Sequence, residues 1–195
     1  MVTDEQLAER MAEGDQVAFE MFVHRYHGPL LSYLDRMLRN PQKAEDFVQE
    51  TFVRLIRQLR RGPVPEKLKP WIYRVAKNLC FDYWRSAESR SNVLISGTLP
   101  DRADPLSSVV DIYERQETRK ELLQALDSLS EAQRAIVILR FFQDLKLQDI
   151  AEVMDMSLSA VKSSLYQSLK KLKRRYDASS GEPSGKGDAA HATKR

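Results

Sequence analysis

Two stretches of this chain carry side chains suited to gripping a polyanion. The first is Trp71-Ile72-Tyr73-Arg74-Val75-Ala76-Lys77-Asn78-Leu79-Cys80-Phe81-Asp82-Tyr83-Trp84-Arg85. At helical spacing Ile72, Val75, Ala76, Leu79, Cys80 and Tyr83 share one apolar face, and Trp71, Arg74, Asn78, Phe81 and Arg85 lie away from it. Aromatic rings interleaved with cations and an amide suit single-stranded nucleic acid. Bases stack on the rings at about 1–3 kcal/mol each, while the cations follow the phosphates. The alternative is that Trp71 and Phe81 pack on a neighbouring helix or linker. The loop 60–70, with its four cations Arg60, Arg61, Lys67 and Lys69, widens the basic surface either way.

The second stretch lies near the C-terminus. Residues 147–154 make a short amphipathic helix with Ile150, Ala151 and Met154 inward, and Asp155-Met156-Ser157 makes a turn. Leu158, Val161, Leu165, Leu169 and Leu172 then mark the expected buried side of a second helix. Its other side shows Ser159, Ala160, Ser163, Gln167 and Lys170, flanked by Lys162 and Tyr166. Small and polar residues at the start of such a helix let it enter a major groove, where Ser and Gln can hydrogen-bond base edges. Lys170, Lys171, Lys173, Arg174 and Arg175 would hold phosphates and make binding depend on salt. A helical hairpin with a solvated basic end is the plainer alternative, and DNA binding is the favoured one.

A third pattern is acidic. Within residues 44–59, Ala44, Phe47, Val48, Thr51, Phe52, Leu55, Ile56 and Leu59 fall on one broad side. Asp46, Gln49, Glu50 and Val53 form the opposite stripe, spaced i, i+3, i+4, i+7. This stripe is either a solvated face with a Glu50–Arg54 pair or a docking surface for a basic or polar partner helix.

Nothing in the sequence announces a catalyst. There is no glycine-rich phosphate loop, no His-Glu-x-x-His and no Gly-x-Ser-x-Gly. His24, His27 and His191 are too few and too scattered for a metal site, and the lone Cys80 excludes an intrachain disulfide. Neither a catalytic residue, a metal ligand nor a cofactor is expected. The first residues lack the basic start and apolar run of a secretory leader, and no run of about 18 apolar residues occurs. A cytoplasmic protein without membrane insertion is therefore expected. The net charge of +3 conceals strong segregation. Residues 1–53 hold 5 basic and 10 acidic side chains, residues 54–90 hold 10 and 3, and residues 158–175 hold 6 and none. Two basic segments, each tied to a helix, predict two contacts with nucleic acid.

The elements that must position these residues are all helical. Thr3 or Asp4 caps a helix that stops at Gly14, and a second runs over 15–39, with Gly28-Pro29 a candidate bend. A third spans 41–61 and a fourth carries Pro70 in its first turn and ends near Arg85. The Ser-, Asp- and Pro-bearing stretch 86–105 has no sustained period. A helix over 106–128 is expected next, then one capped by Ser130 with Gln133 and ending near Phe142, then the pair at 147–154 and 158–174. The fold class is thus all-α, two helical domains over 1–89 and 111–176 joined by a flexible linker at 90–110. The Ser/Gly/Ala-rich tail 177–195 is expected to be disordered.

The order of these blocks resembles the bacterial RNA polymerase sigma factors. Asn40-Pro41 followed by Ala44-Glu45-Asp46-Phe47-Val48-Gln49-Glu50-Thr51-Phe52 resembles their region 2.2. Lys69-Pro70-Trp71-Ile72-Tyr73-Arg74-Val75-Ala76-Lys77-Asn78 resembles regions 2.3 and 2.4 of the extracytoplasmic-function (ECF, group 4) branch of the sigma-70 family. Leu129-Ser130-Glu131-Ala132-Gln133-Arg134, the helix-turn-helix and the basic end resemble region 4. The likeness covers about residues 5–175, in the family's order.

The resemblance implies a transcription initiation factor that binds core RNA polymerase, directs it to promoters and helps open them. By it, Asp46, Gln49, Glu50 and Val53 dock on the β′ clamp, with Phe52 as the core anchor of the same motif. Trp71 and Asn78 open and read the −10 element, and Arg61, Lys67 and Lys69 belong to the loop that captures a flipped-out base. Arg74 and Arg85 complete that surface. Ser159, Ala160, Lys162, Ser163, Tyr166, Gln167 and Lys170 face the −35 element, and region 4 also meets the β flap. The partners implied are core polymerase, promoter DNA and an anti-sigma factor. Asp155 stands where the family often has Gly, Ser159-Ala160 where Gly-Thr is common, and Ser164 where Arg is frequent. The rival readings are a helix-turn-helix regulator acting without core polymerase and a protein that sequesters polymerase or a sigma partner.

Overall fold

Most helix starts among the described residues are written into the chain by a side-chain cap. In the computed structural model, which describes residues 2–86 and 124–179, α1 (Asp4–Ala12) opens on a reciprocal capping box between Thr3 and Gln6. Asp15 caps α2 (Gln16–Leu38) by accepting from the Ala18 amide at 3.1 Å, and its carboxylate also takes Arg10. The Ala18 amide first, then Arg10, holds the Asp15 carboxyl below its ordinary pKa. Gly28 and Pro29 fall inside α2, which is assigned as one helix through them. Arg39, at φ 55°, turns the chain into Asn40, whose side chain accepts from the Lys43 amide at 3.0 Å and starts α3 (Pro41–Arg61). α4 (Leu68–Arg85) carries Pro70 in its first turn, where the missing N–H costs nothing.

The second module begins with a helical turn at 124–127. Ser130 and Gln133 form the expected capping box at the start of α5 (Glu131–Phe141). α6 (Leu147–Met154) and α7 (Leu158–Ser179) follow. Asp155 between them adopts φ 53° and ψ 46°, the left-handed conformation that Asp accepts more readily than most residues. α7 continues to Ser179, so the first residues of the expected disordered tail are helical. The expected linker, nearly all of the helix expected over 106–128 and residues 180–195 lie outside the described residues. Ser130→Ala should lower stability by about 1 kcal/mol, since it strips the acceptor from the Gln133 amide. Thermal unfolding followed by circular dichroism would measure it.

Amphipathic faces set the packing. α1, α3 and α4 all lie on α2, and Phe22, Leu30, Tyr33, Leu34, Val48, Leu55, Ile72 and Tyr73 are fully buried where they meet. Phe52 meets Phe19 and Phe22 edge-on, with ring centroids 6.4 and 6.2 Å apart. In the second module Ala135, Ile136, Ile138, Ile150, Val153 and Val161 are fully buried. The two modules are not separate bodies on a string: α4 lies against α6 and α2 against α5, and one apolar cluster runs from Leu7 to Val161. Among the described residues no helix is long and apolar enough to cross a membrane.

Candidate nucleic-acid interface

α7 presents its small and polar residues as the sequence predicts. Ser159, Lys162, Ser163, Tyr166, Gln167 and Lys170 are exposed, and Ala160 is half-buried. Ser157 caps the helix by accepting from the Ala160 amide at 3.2 Å, which fixes the angle at which this face leaves the turn. The buried side differs from the expected one. Leu158 and Leu169 are 37% and 42% exposed, whereas Ser168 is fully buried and donates to the Ser164 carbonyl at 2.7 Å. Val161, Leu165, Ser168 and Leu172, spaced 4, 3 and 4, form the true seam. A Ser can occupy it because its hydroxyl is satisfied within its own helix. In α6 the inward set also gains Val153, which is fully buried.

On α3 the acidic stripe faces outward. Asp46, Gln49 and Val53 are exposed and Glu50 half-buried, while Phe52 is buried beneath them. Glu50 takes Arg54 Nε at 2.8 Å, the i,i+4 pair expected of a solvated face. Lys43 sits 3.9 Å from Asp46. Neither contact covers the stripe, so the carboxylates are accessible to a partner.

The α4 surface is where tertiary structure changes the picture most. Asn78 and Arg85 are exposed, and so is Arg61, which the structure places as the last residue of α3 rather than in the loop. Gln58 donates to the Pro63 carbonyl at 2.9 Å and ties that loop back to its helix. Trp71 and Phe81 are half-buried, both packed on the apolar cluster, and Phe81 meets Trp84 at 5.7 Å. Their faces are therefore partly spent on packing, the plainer of the two sequence readings.

The remaining cations of this surface are not open to solvent alone; the second module meets them. Lys67 Nζ lies 3.2 Å from Asp149 and 2.5 Å from Glu152, whose hydrogen bonds raise its pKa, Glu152's foremost. Lys69 donates to the Gln143 carbonyl at 2.9 Å. Arg74 gives two hydrogen bonds, at 3.0 and 2.7 Å, to the Glu152 carbonyl oxygen. Tyr73 is buried and donates to Gln143 Oε1 at 2.6 Å. Lys77 is also buried, 3.8 Å from Asp155 and 5.6 Å from the Phe81 ring. Burial pushes its ammonium below the ordinary value, and Asp155 opposes that shift.

A second contact lies at the other end of the seam. Arg39 pairs with Asp127 at 2.9 Å, Arg134 donates to the Met37 carbonyl at 3.3 Å, and the Arg36 guanidinium sits over the Phe142 ring. Lys77, Gln143, Asp149 and Glu152 were not singled out by sequence, and Asp155 was read only as a turn residue. The available signal was Asp149, Glu152 and Asp155 in a row along α6, an acidic edge on an otherwise basic unit.

Comparison with known proteins identifies the family. Residues 22–90 match Sigma-70 region 2 and residues 119–172 match Sigma-70, region 4. The chain is 26% identical over 180 residues to RNA polymerase sigma-H factor of Pseudomonas aeruginosa, covering 84% of this chain and 89% of that one. It is 27% identical over 161 residues to ECF RNA polymerase sigma factor SigX of Bacillus subtilis, covering 80% and 82%. Its fold is similar to that of CnrH in complex with the cytosolic domain of CnrY, with a TM-score of 0.69 at 22% identity over 90% of this chain and 97% of that chain. Two sigma regions in the family's order, on a chain of matching length, decide the matter: the chain belongs to the extracytoplasmic-function group of the sigma-70 family, and is a promoter-directing transcription initiation factor rather than an enzyme.

Proposed function

We propose that this sigma factor divides its work among three surfaces. Asp46, Gln49, Glu50 and Val53 dock on the β′ clamp of core RNA polymerase, with Phe52 holding the stripe in place from below. Residues 1–89 read the −10 element and residues 111–176 the −35 element. Ser159, Ala160, Ser163 and Gln167 face base edges in the −35 major groove, Tyr166 lies beside them, and Lys162 and Lys170 meet phosphates. The observation that carries this reading is the α7 face: six polar, basic or aromatic residues exposed together immediately after a left-handed turn.

Strand opening falls to α4 and the loop before it. Unstacking a base costs a few kcal/mol, which a pocket for the extruded base offsets. Arg61, Lys67 and Lys69 flank that pocket, Trp71 stacks at the fork, Asn78 hydrogen-bonds an exposed base, and Arg74 and Arg85 hold the single-stranded backbone. The protein acts in the cytoplasm, where polymerase and chromosome meet, and region 4 also contacts the β flap. An anti-sigma factor is a natural regulator. CnrH is similar in fold and was solved in complex with the cytosolic domain of CnrY, and RpoE of Bartonella quintana, similar at a TM-score of 0.64, was solved with the anti-sigma factor NepR.

The test is run-off transcription on fragmented host DNA with purified host core polymerase, with and without the protein. New discrete starts preceded by a shared pair of spaced motifs are expected. An active core that gains no new starts from folded protein would overturn the reading.

A further inference from the structure

The outward face of α3 does not end with its acidic stripe. Asp46, Glu50, Val53, Arg57 and Arg60 follow one another at intervals of 4, 3, 4 and 3 residues, the repeat by which one helix meets another along a seam. Asp46, Val53, Arg57 and Arg60 are exposed and Glu50 is half-buried, so the whole line, about 21 Å long, faces outward. Its charge changes sign at Val53. On the other side of the helix Val48, Thr51, Leu55 and Leu59 are buried, which holds the line on a packed element.

The two halves differ in how their charges are met. Asp46 has Lys43 beside it and Glu50 has Arg54, both within the same helix. Arg57 has no such neighbour: three and four positions away stand Val53, Arg54, Arg60 and Arg61, so like charges crowd it from both sides. Among the described residues no hydrogen bond or ion pair reaches Arg57 or Arg60. The helix C-terminus favours cations in its last turn, which holds Arg60 and Arg61. Arg57 lies a turn earlier, beyond that effect. A merely solvated face is laced with opposite charges. This end repels itself, and an acidic partner would relieve it.

We infer that Arg57 and Arg60 are the second half of the polymerase-docking surface, and that the partner is a helix whose facing charges run in the opposite order: basic at Asp46 and Glu50, apolar at Val53, acidic at Arg57 and Arg60. This rests on the docking reading of α3 and extends it to the chemistry of the partner. The change of sign fixes direction and register. A partner helix laid in the reverse sense would set like charges together at both ends, and a slip of two turns would do so at one. A uniformly acidic stripe would not tell these arrangements apart.

Arg57 is the position to change, because it lies in neither the −10 loop nor the last turn of the helix. Labelled full chain is titrated with purified host core polymerase. Arg57→Glu is expected to bind about 10-fold more weakly, with the loss shrinking as salt is raised. Arg57→Lys keeps the charge and should stay within about twofold. Glu50→Arg with Arg57→Glu keeps the net charge but inverts its order, and should bind no better than the weaker of the two single variants. Melting curves check the fold. Should Arg57→Glu not fold, Arg57→Gln, which only removes the charge, should still lose about fourfold.

Recovery of the parent affinity by the double variant would overturn the inference, since net charge alone would then explain binding. A folded Arg57→Glu chain with unchanged core affinity would overturn it too. If that chain instead lost affinity for a 20-nucleotide oligodeoxythymidine, the basic half would be a nucleic-acid contact. Glu50→Arg separates this inference from the reading beneath it. If Glu50→Arg weakens core binding and Arg57→Glu does not, only the basic half falls. If neither does, the docking of α3 falls with it.

Discussion

Glu50→Arg is expected to weaken binding of the protein to core RNA polymerase by about 100-fold while leaving the fold intact. Close charge pairs across protein interfaces couple by about 1.5–7 kcal/mol, and about 3 kcal/mol corresponds to that factor. The fold should tolerate the change because Glu50 lies on the outward stripe of α3 and its ion pair with Arg54 is a partly exposed i,i+4 contact. Reversal also sets two like charges one turn apart, at a cost of a few tenths of a kcal/mol. Titration of labelled protein with core polymerase gives the affinity, and a melting curve checks the fold. Unchanged affinity in a folded variant would remove the docking assignment of the whole stripe.

Asn78→Ala should slow promoter opening by about 5–30-fold, the loss of one or two hydrogen bonds to a base at about 1 kcal/mol each. Core binding should stay within about twofold, since the proposed core contact lies on α3. Asn78 is the informative position because it is exposed, whereas Trp71 is half-buried and packs on the apolar cluster. Trp71→Ala would mix lost stacking with lost stability. Arg74→Ala would mix lost phosphate contacts with a loosened seam, since Arg74 holds the Glu152 carbonyl. Permanganate footprinting on a promoter found by run-off transcription reads the bubble directly. A bubble of normal extent and rate would show that Asn78 does not touch the −10 strand.

Both outcomes depend on where a helix face points, and much of that was legible in the residues. Local signals placed the helices well. Thr3 with Gln6 and Ser130 with Gln133 make capping boxes, Asn40-Pro41 starts α3, and Asp155 takes the turn. The α3 stripe and the exposed face of α7 came out at their expected positions, because helical spacing alone separates a buried side from a solvated one. That same spacing misjudged α7 where composition misled. Leu169 is more hydrophobic than Ser168, yet Ser168 continues the seam of Val161 and Leu165 and is fully buried. The neighbouring helix decides which of two adjacent residues faces it, and a hydroxyl bonded to its own helix is no obstacle.

By itself the sequence determined the family and the helices of the described residues, and it marked the outward faces of α3 and α7, since each is carried by residues close together in the chain. Only the tertiary structure decided that the polar face of α7 is open while Lys67, Lys69 and Arg74 meet the second module and Asn78 and Arg85 stay exposed. The contacts that join the two modules link residues far apart, 74 positions for Lys69 with Gln143, 78 for Arg74 with Glu152 and 97 for Arg134 with Met37. In all three the acceptor is a backbone carbonyl. Every residue carries one, so no pattern of side-chain types could have marked these as the partners; only the folded positions of α5, α6 and the loop between them could.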